Sequence, residues 1–226
     1  MKITSIMGSP HGIKGTAGPI VNRMMEAMQD GGAEAEIISL ADYKLQPCKG
    51  CRMCAKAGRC VIKDDYASIK ERLLETDGII LVSPNYMHNV SAQMKAFLDR
   101  SFSLCHCQTL KGKYGAVMVT SGGLKFETPK NYLLDVLVLM GCWSVGTLCA
   151  AELQLADKDE RARIIKEAYN LGNRMVKAIG NREVFPDQEQ DLKQIFEQAK
   201  MLVEVFKDEW VFEYEYWKSH WGVEEQ

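Results

Sequence analysis

The chain has 226 residues, 46% of them hydrophobic and 26% charged, with a formal net charge of −2 and a pI near 6.1. That length supports one core with room for an appendage, and the near-neutral balance excludes the basic stripe of a nucleic-acid binder or an acidic-membrane binder. The N-terminus MKITSIMGSP lacks a signal-peptide apolar core, and the longest uncharged run, 136–151, is broken by Gly141, Ser144 and Gly146, so a cytoplasmic, thiol-reducing setting is expected.

KITSIMG (2–8) predicts a first strand that breaks at Gly8. From Thr16, the apolar residues Ile20, Val21, Met24, Met25 and Met28 recur at helical spacing until Asp30-Gly31-Gly32, predicting a helix with a glycine stop. AEIISL (35–40) predicts a second strand. QPCKGCRMCAKAGRC (46–60) follows, with Cys48, Cys51, Cys54 and Cys60 spaced C-x2-C-x2-C-x5-C. Asp64 or Asp65 caps a helix in YASIKERLLE, and GIILVSP (78–84) is a third strand, apolar throughout as when both faces are covered. Ser91 is placed to cap AQMKAFLDRSF. YGAVMVTSGG then predicts a strand, ETPKNYLLDVLVLMG a helix, CWSVGTLCAA a fifth strand with Cys142 and Cys149 in the core, and 157–179 a long helix. Five alternations without a hairpin signal predict a parallel α/β sandwich with strand order 2-1-3-4-5 and helices on both faces.

After NREVFPDQ the pattern changes. Leu192, Ile195, Phe196, Ala199, Leu202, Val203, Phe206 and Trp210 form one apolar stripe, and three of the four tryptophans fall in the last seventeen residues. The expected organisation is a ligand-binding unit over 1–180 and a C-terminal helical, aromatic extension over 181–226. The extension either closes the sheet's own core or reaches a second subunit; the expectation adopted is a subunit-contact arm.

In a sheet of this order, ligands sit beyond the carboxyl ends of the strands, between strands one and three. The loops concerned are 8–17, 84–91 and 120–125. GSPHGIKGTA offers small residues and hydroxyls at Ser9 and Thr16 just before a helix, which suits a phosphate monoester; a plain strand-to-helix turn explains it equally well. Lys14-Gly15-Thr16 breaks the Walker A order, and no G-x-G-x-x-G is present. PNYMHNVS and TSGG could hold a flat heteroaromatic ring between them, with His88 most simply a solvated loop residue. The cysteine run admits several readings. Three thiolates from C-x2-C-x2-C and a fourth shortly after can serve one [4Fe–4S] cluster. Zinc more often takes two separated knuckles, disulfides suit an oxidising compartment, and metal-free thiols stay open. Cys105-His106-Cys107 is a single C-x-C with no partner motif, and buried thiols are common as small hydrophobes.

GSPHGIKGTA, SPNYMHNVSAQMKAFLDR and TSGG together resemble the three loops of the flavodoxin-like NAD(P)H:FMN reductase superfamily, over about residues 1 to 180. With the four cysteines included, the chain resembles the iron–sulfur flavoprotein family. The resemblance implies a flavodoxin-like fold and FMN, with Ser9, His11, Thr16 and Ala17 at the phosphate, although His11 stands where the family has Arg. It places Pro84, Asn85, Tyr86, Met87 and Asn89 along the isoalloxazine, and Ser121, Gly122 and Gly123 on the other side. It makes Cys48, Cys51, Cys54 and Cys60 the ligands of a [4Fe–4S] cluster. It also implies a homodimer or homotetramer, ferredoxin or NAD(P)H as electron donor, and dioxygen, peroxide or a small organic acceptor. The expected activity is an FMN-dependent electron-transfer oxidoreductase in which no side chain acts as nucleophile or base. Two alternatives are an FMN-dependent NAD(P)H:quinone or nitro-compound reductase with structural cysteines, and a non-enzymatic redox sensor or electron carrier.

Overall fold

The five expected strands form one parallel sheet: β1 (Lys2–Met7), β2 (Glu34–Ser39), β3 (Gly78–Pro84), β4 (Tyr114–Ser121) and β5 (Trp143–Ala151), ordered β2-β1-β3-β4-β5. The computed structural model describes residues 1–123 and 125–222; the last four positions of the expected extension lie outside them. Every residue of β3 is buried, the consequence of a central parallel strand covered on both faces.

Ten helices accompany the sheet among the described residues: α1 (Gly18–Asp30), α2 (Met53–Ala57), α3 (Tyr66–Leu74), α4 (Ala92–Arg100), α5 (Phe102–His106), α6 (Glu127–Leu139), α7 (Glu152–Ala156), α8 (Lys158–Gly180), α9 (Pro186–Val205) and α10 (Val211–Trp221). On one face, α1 and α8 bury Met24, Met28 and Met175 against Ile3, Ile80 and Met118. On the other, α3, α4 and α6 bury Ile69, Phe97 and Leu137 against Ile38, Leu81 and Val119. Unbranched methionines fill the irregular space between helix and pleat. No helix among the described residues is long and apolar enough to cross a membrane.

Two elements depart from the sequence expectation. Helix α1 begins at Gly18, not at Thr16, because a one-turn helix at Gly12–Lys14 folds back over its start. A β-carbon on Gly18 would stand 1.8 Å from the carbonyl oxygen of Ile13, so only glycine admits this loop. The C-terminal stripe is two helices instead of one, broken at Phe206–Trp210. The second helix turns its aromatic face inward: Trp210 and Trp217 are buried with Val203, Ala199 and Ala55 of α2, with Phe102 of α5 packed alongside.

Candidate functional site

The sheet order opens a crevice at the carboxyl ends of β1, β3 and β4. Nine of the twelve residues expected at a flavin line it: Ser9, His11, Thr16, Ala17, Pro84, Asn85, Tyr86, Ser121 and Gly122. Met87, Asn89 and Gly123 stand outside the lining, and Met87 at the tip of its loop is 96% exposed. Thr120 of the expected TSGG loop and Glu152, which sequence reading missed, complete the wall.

At the phosphate-type corner, the Ser9 hydroxyl accepts from the N–H of His11 at 3.2 Å, and Ala17 stands at the N-cap of α1. The N–H groups of Thr16 and Ala17 find no acceptor among the described residues, so two donors at the start of α1 are unspent in residues that line the crevice. The Thr16 hydroxyl donates instead to Glu152 Oε1, 3.2 Å away. Gly8 presses against α4: a β-carbon there would meet Met94 Cβ at 2.7 Å and Ser91 Oγ at 2.9 Å. As expected, Ser91 caps α4. Its hydroxyl accepts from Met94 N at 3.1 Å and donates to Gly8 O, tying the helix start to the first loop.

At the ring-type side, Tyr86 and Asn89 exchange backbone hydrogen bonds of 2.8 and 3.0 Å around Met87 (φ 49°) and His88 (φ 61°). Two consecutive left-handed non-glycine residues are uncommon and are held here by that closed turn. Asn85 Nδ2 donates to Lys125 O at 2.5 Å and lies 3.5 Å from Ser121 Oγ, joining the second and third loops. Its Oδ1 is buried with no donor. An unpaired buried acceptor beside the crevice fits the N–H edge of a flavin ring.

The cysteine loop turns through left-handed backbone at Gly50, Arg52 and Gly58. Those turns set Cys48, Cys51, Cys54 and Cys60 on the wall of one cavity of about 390 Å³, closed by α3, the end of α4 and Phe212 of α10. Among the described residues, no three Cys, His, Asp or Glu side chains meet closely enough to hold a single metal ion. Four thiols spread around a cavity instead suit a polynuclear cluster, in which each iron takes one thiolate. The surroundings are cationic. In the lining, Lys49, Arg52, Arg59, Lys70 and the buried Arg100 outnumber Glu71 and Asp99, and no carboxylate occurs between 44 and 63. Such a field suits the net negative charge of a four-thiolate cluster.

Beneath the loop, the Arg100 guanidinium forks onto Asp64, with Nη1–Oδ2 at 2.8 Å and Nη2–Oδ1 at 3.0 Å. Burial works against the Asp64 carboxylate, but Arg100 and the N–H groups of Gln46 and Tyr66 hold it below the ordinary aspartate range. Asp64 Oδ1 thus accepts from the first N–H of α3, that of Tyr66, while Asp65 at the N-cap makes no side-chain cap and accepts instead from Lys44 N at 2.7 Å. Burial, then the Glu213 carboxylate, push the Cys54 thiol up, so ligation there releases a proton.

The other four cysteines line no part of this cavity. Burial raises Cys105 and Cys142 to about 12 and Cys149 to about 11, and raises Cys107 as well, so all stay protonated near neutral pH. Cys142 is fully buried and Cys149 half-buried. His106 pairs through Nδ1 with Glu213 at 3.0 Å and packs between Phe102 and Trp210.

A sequence profile of the NADPH-dependent FMN reductases matches residues 1–155. The chain is 32% identical to an iron–sulfur flavoprotein of Archaeoglobus fulgidus, over 97% of this chain and 98% of that one. It is 43% identical to an iron–sulfur flavoprotein of Methanocaldococcus jannaschii, over 52% of this chain and 61% of that one. Among solved structures, a flavone reductase shares the fold with a TM-score of 0.65 at 16% identity, over 80% of this chain and 64% of that one.

Proposed function

This chain belongs to the NADPH-dependent FMN reductase family, among its iron–sulfur flavoproteins, and from that premise we propose that it relays electrons between FMN in the crevice and a [4Fe–4S] cluster in the cysteine-lined cavity. It is a flavin-dependent oxidoreductase. The observation that carries the relay is the convergence of all four motif cysteines, and none of the other four, on one cavity with a cationic rim. When bound, FMN supplies both hydride and single-electron chemistry, and the cluster holds single electrons.

The chain's own groups bind and separate the two sites. Ser9, His11 and the free N–H groups of Thr16 and Ala17 hold the phosphate, and Asn85 Oδ1 takes a ring N–H. Tyr86, with Met87 and Asn89 of its loop, would stand beside the ring, and Pro84, Ser121 and Gly122, followed by Gly123, would leave flat space for it. Helix α4 connects the sites: its cap Ser91 bonds to the first loop, and its last residue, Arg100, walls the cysteine cavity. At 1.5 Å per residue, its nine residues span about 13 Å. The cationic rim suits an acidic carrier such as ferredoxin as donor, with NAD(P)H the other candidate and a small molecule as acceptor. A homodimer or homotetramer would use the extension 181–226, where Met201, Val205 and Val211 leave apolar surface exposed.

An anaerobic ultraviolet–visible spectrum with iron, sulfide and zinc counts on fresh protein tests the relay. Flavin peaks with broad visible absorption and about four irons per chain are expected. Flavin without iron transfers the assignment to a quinone or nitro-compound reductase with structural cysteines, and absence of turnover with any donor leaves the redox carrier.

A second expectation concerns the phosphate corner. Glu152 places a negative charge beside the site of a dianion and occupies the Thr16 hydroxyl. Removing an exposed charge of this kind is worth up to about 1 kcal/mol, so Glu152→Gln should tighten FMN by up to about fivefold and leave riboflavin unchanged. Adding Thr16→Val to that variant should give back part of the gain, because it removes the hydroxyl that Glu152 had occupied, and should spare riboflavin. Titrations of both ligands check this, and equal changes for the two would move the phosphate elsewhere.

A further inference from the structure

We propose that Arg100 donates a hydrogen bond from Nε to the sulfur shell of the cluster, and that this bond raises the cluster's reduction potential. The inference rests on the cluster reading above.

Arg100 is 4% exposed, although a charged side chain at the end of a surface helix ordinarily extends into water. Both outer nitrogens are engaged: Nη1 donates to Gln46 O at 3.0 Å and to Asp64 Oδ2, and Nη2 donates one of its two N–H groups to Asp64 Oδ1. Nε is buried and has no acceptor. The guanidinium cannot swing to find one. Asp64 is itself pinned by the N–H groups of Gln46 at 2.8 Å and Tyr66 at 3.2 Å, and the Tyr66 ring lies 4.7 Å under the guanidinium carbon.

Nε, the one guanidinium nitrogen without a partner, is therefore left for whatever fills the cavity that Arg100 walls together with the four cysteines. Cys60 and the other three motif cysteines line the same cavity as Arg100. Buried donors are almost always satisfied, and thiolate or bridging sulfide is the acceptor a cluster presents. Such a bond stabilises the more negative, reduced cluster and so makes it easier to reduce. Arginine suits the task because its rigid fork keeps Nε directed while the outer nitrogens anchor the loop; the three donors of lysine share one rotatable ammonium.

The test uses anaerobically purified, iron-loaded full chain grown with arginine labelled at ¹⁵Nε, reduced and examined by pulsed electron paramagnetic resonance. The expected result is a ¹⁵N coupling to the reduced cluster that is absent in Arg100→Lys. The variant's one-electron reduction equilibrium should shift about tenfold toward the oxidised form, a fall of about 59 mV. A purely structural arginine would leave no ¹⁵N coupling. A reduced-cluster signal without coupling, or a coupling that survives in Arg100→Lys and so comes from Arg52 or Arg59, overturns the inference and leaves the cluster standing. Flavin-loaded protein with no cluster signal overturns both. If Arg100→Lys sheds iron, the labelled wild-type spectrum alone decides.

Discussion

Serine in place of any one of Cys48, Cys51, Cys54 or Cys60 is expected to take iron from about four per chain to below about one, with flavin still bound. The hydroxyl is a harder, far less acidic ligand than thiolate, and a cubane that loses one corner ligand is exposed to solvent and falls apart. Flavin should survive because the two sites are built from different parts of the chain. The crevice is made by loops at the ends of β1, β3 and β4, whereas the cysteines hang on a loop after the edge strand β2. Iron, sulfide and flavin counts on each variant check this. The informative controls are Cys105→Ser and Cys107→Ser, which should lower the melting temperature through burial of a hydroxyl but keep all iron, since neither sulfur reaches the cavity. Iron lost from those two and kept in the four would sink the ligand assignment.

The difference between what was legible in the sequence and what was not follows from separation along the chain. Strand order and crevice position came from the alternation of apolar runs, and the Ser91 cap from one residue type at one boundary; each is a local property. The groups that give the two sites their electrostatics are pairs made by topology. Thr16 and Glu152 are 136 residues apart, Arg100 and Asp64 36, and Trp217 and His106 111. Asp64 and Arg100 were both visible, one as a helix cap and the other at the end of an amphipathic helix, but nothing local marks two charges that will be buried together. The six cations of the cysteine loop could have been counted from the sequence; the near-neutral total concealed them. The C-terminal stripe was legible as apolar but not as two helices, because the break at Phe206–Trp210 contains neither glycine nor proline.

Those C-terminal aromatics lead to the other large expected effect. Trp217→Ala should cost about 3–5 kcal/mol, as for removal of a large aromatic from a closed core. Trp217 is fully buried, donates from its indole N–H to His106 O at 2.8 Å, and packs on Phe196 and Trp221 with ring centroids 4.9 and 6.2 Å away. For a chain of this size the melting temperature should fall by roughly 10 °C. The consequence reaches the cysteine loop, because α10 lies on α2: Ala55 is buried in the same cluster, and the Phe212 ring sits so close to Gly58 that a β-carbon there would come within 2.6 Å. The aromatic helix therefore clamps the short helix carrying Cys54, with Cys60 two residues past the clamped glycine. In Trp217→Ala, an iron chelator should strip the cluster at least about tenfold faster at temperatures where circular dichroism is still native, since a local opening needs only about 1.4 kcal/mol of lost clamp for each factor of ten. Flavin release should change little. A melting temperature that falls while the chelation rate stays at the wild-type value would make the helix a lid on the apolar core alone, with no hold on the cysteines.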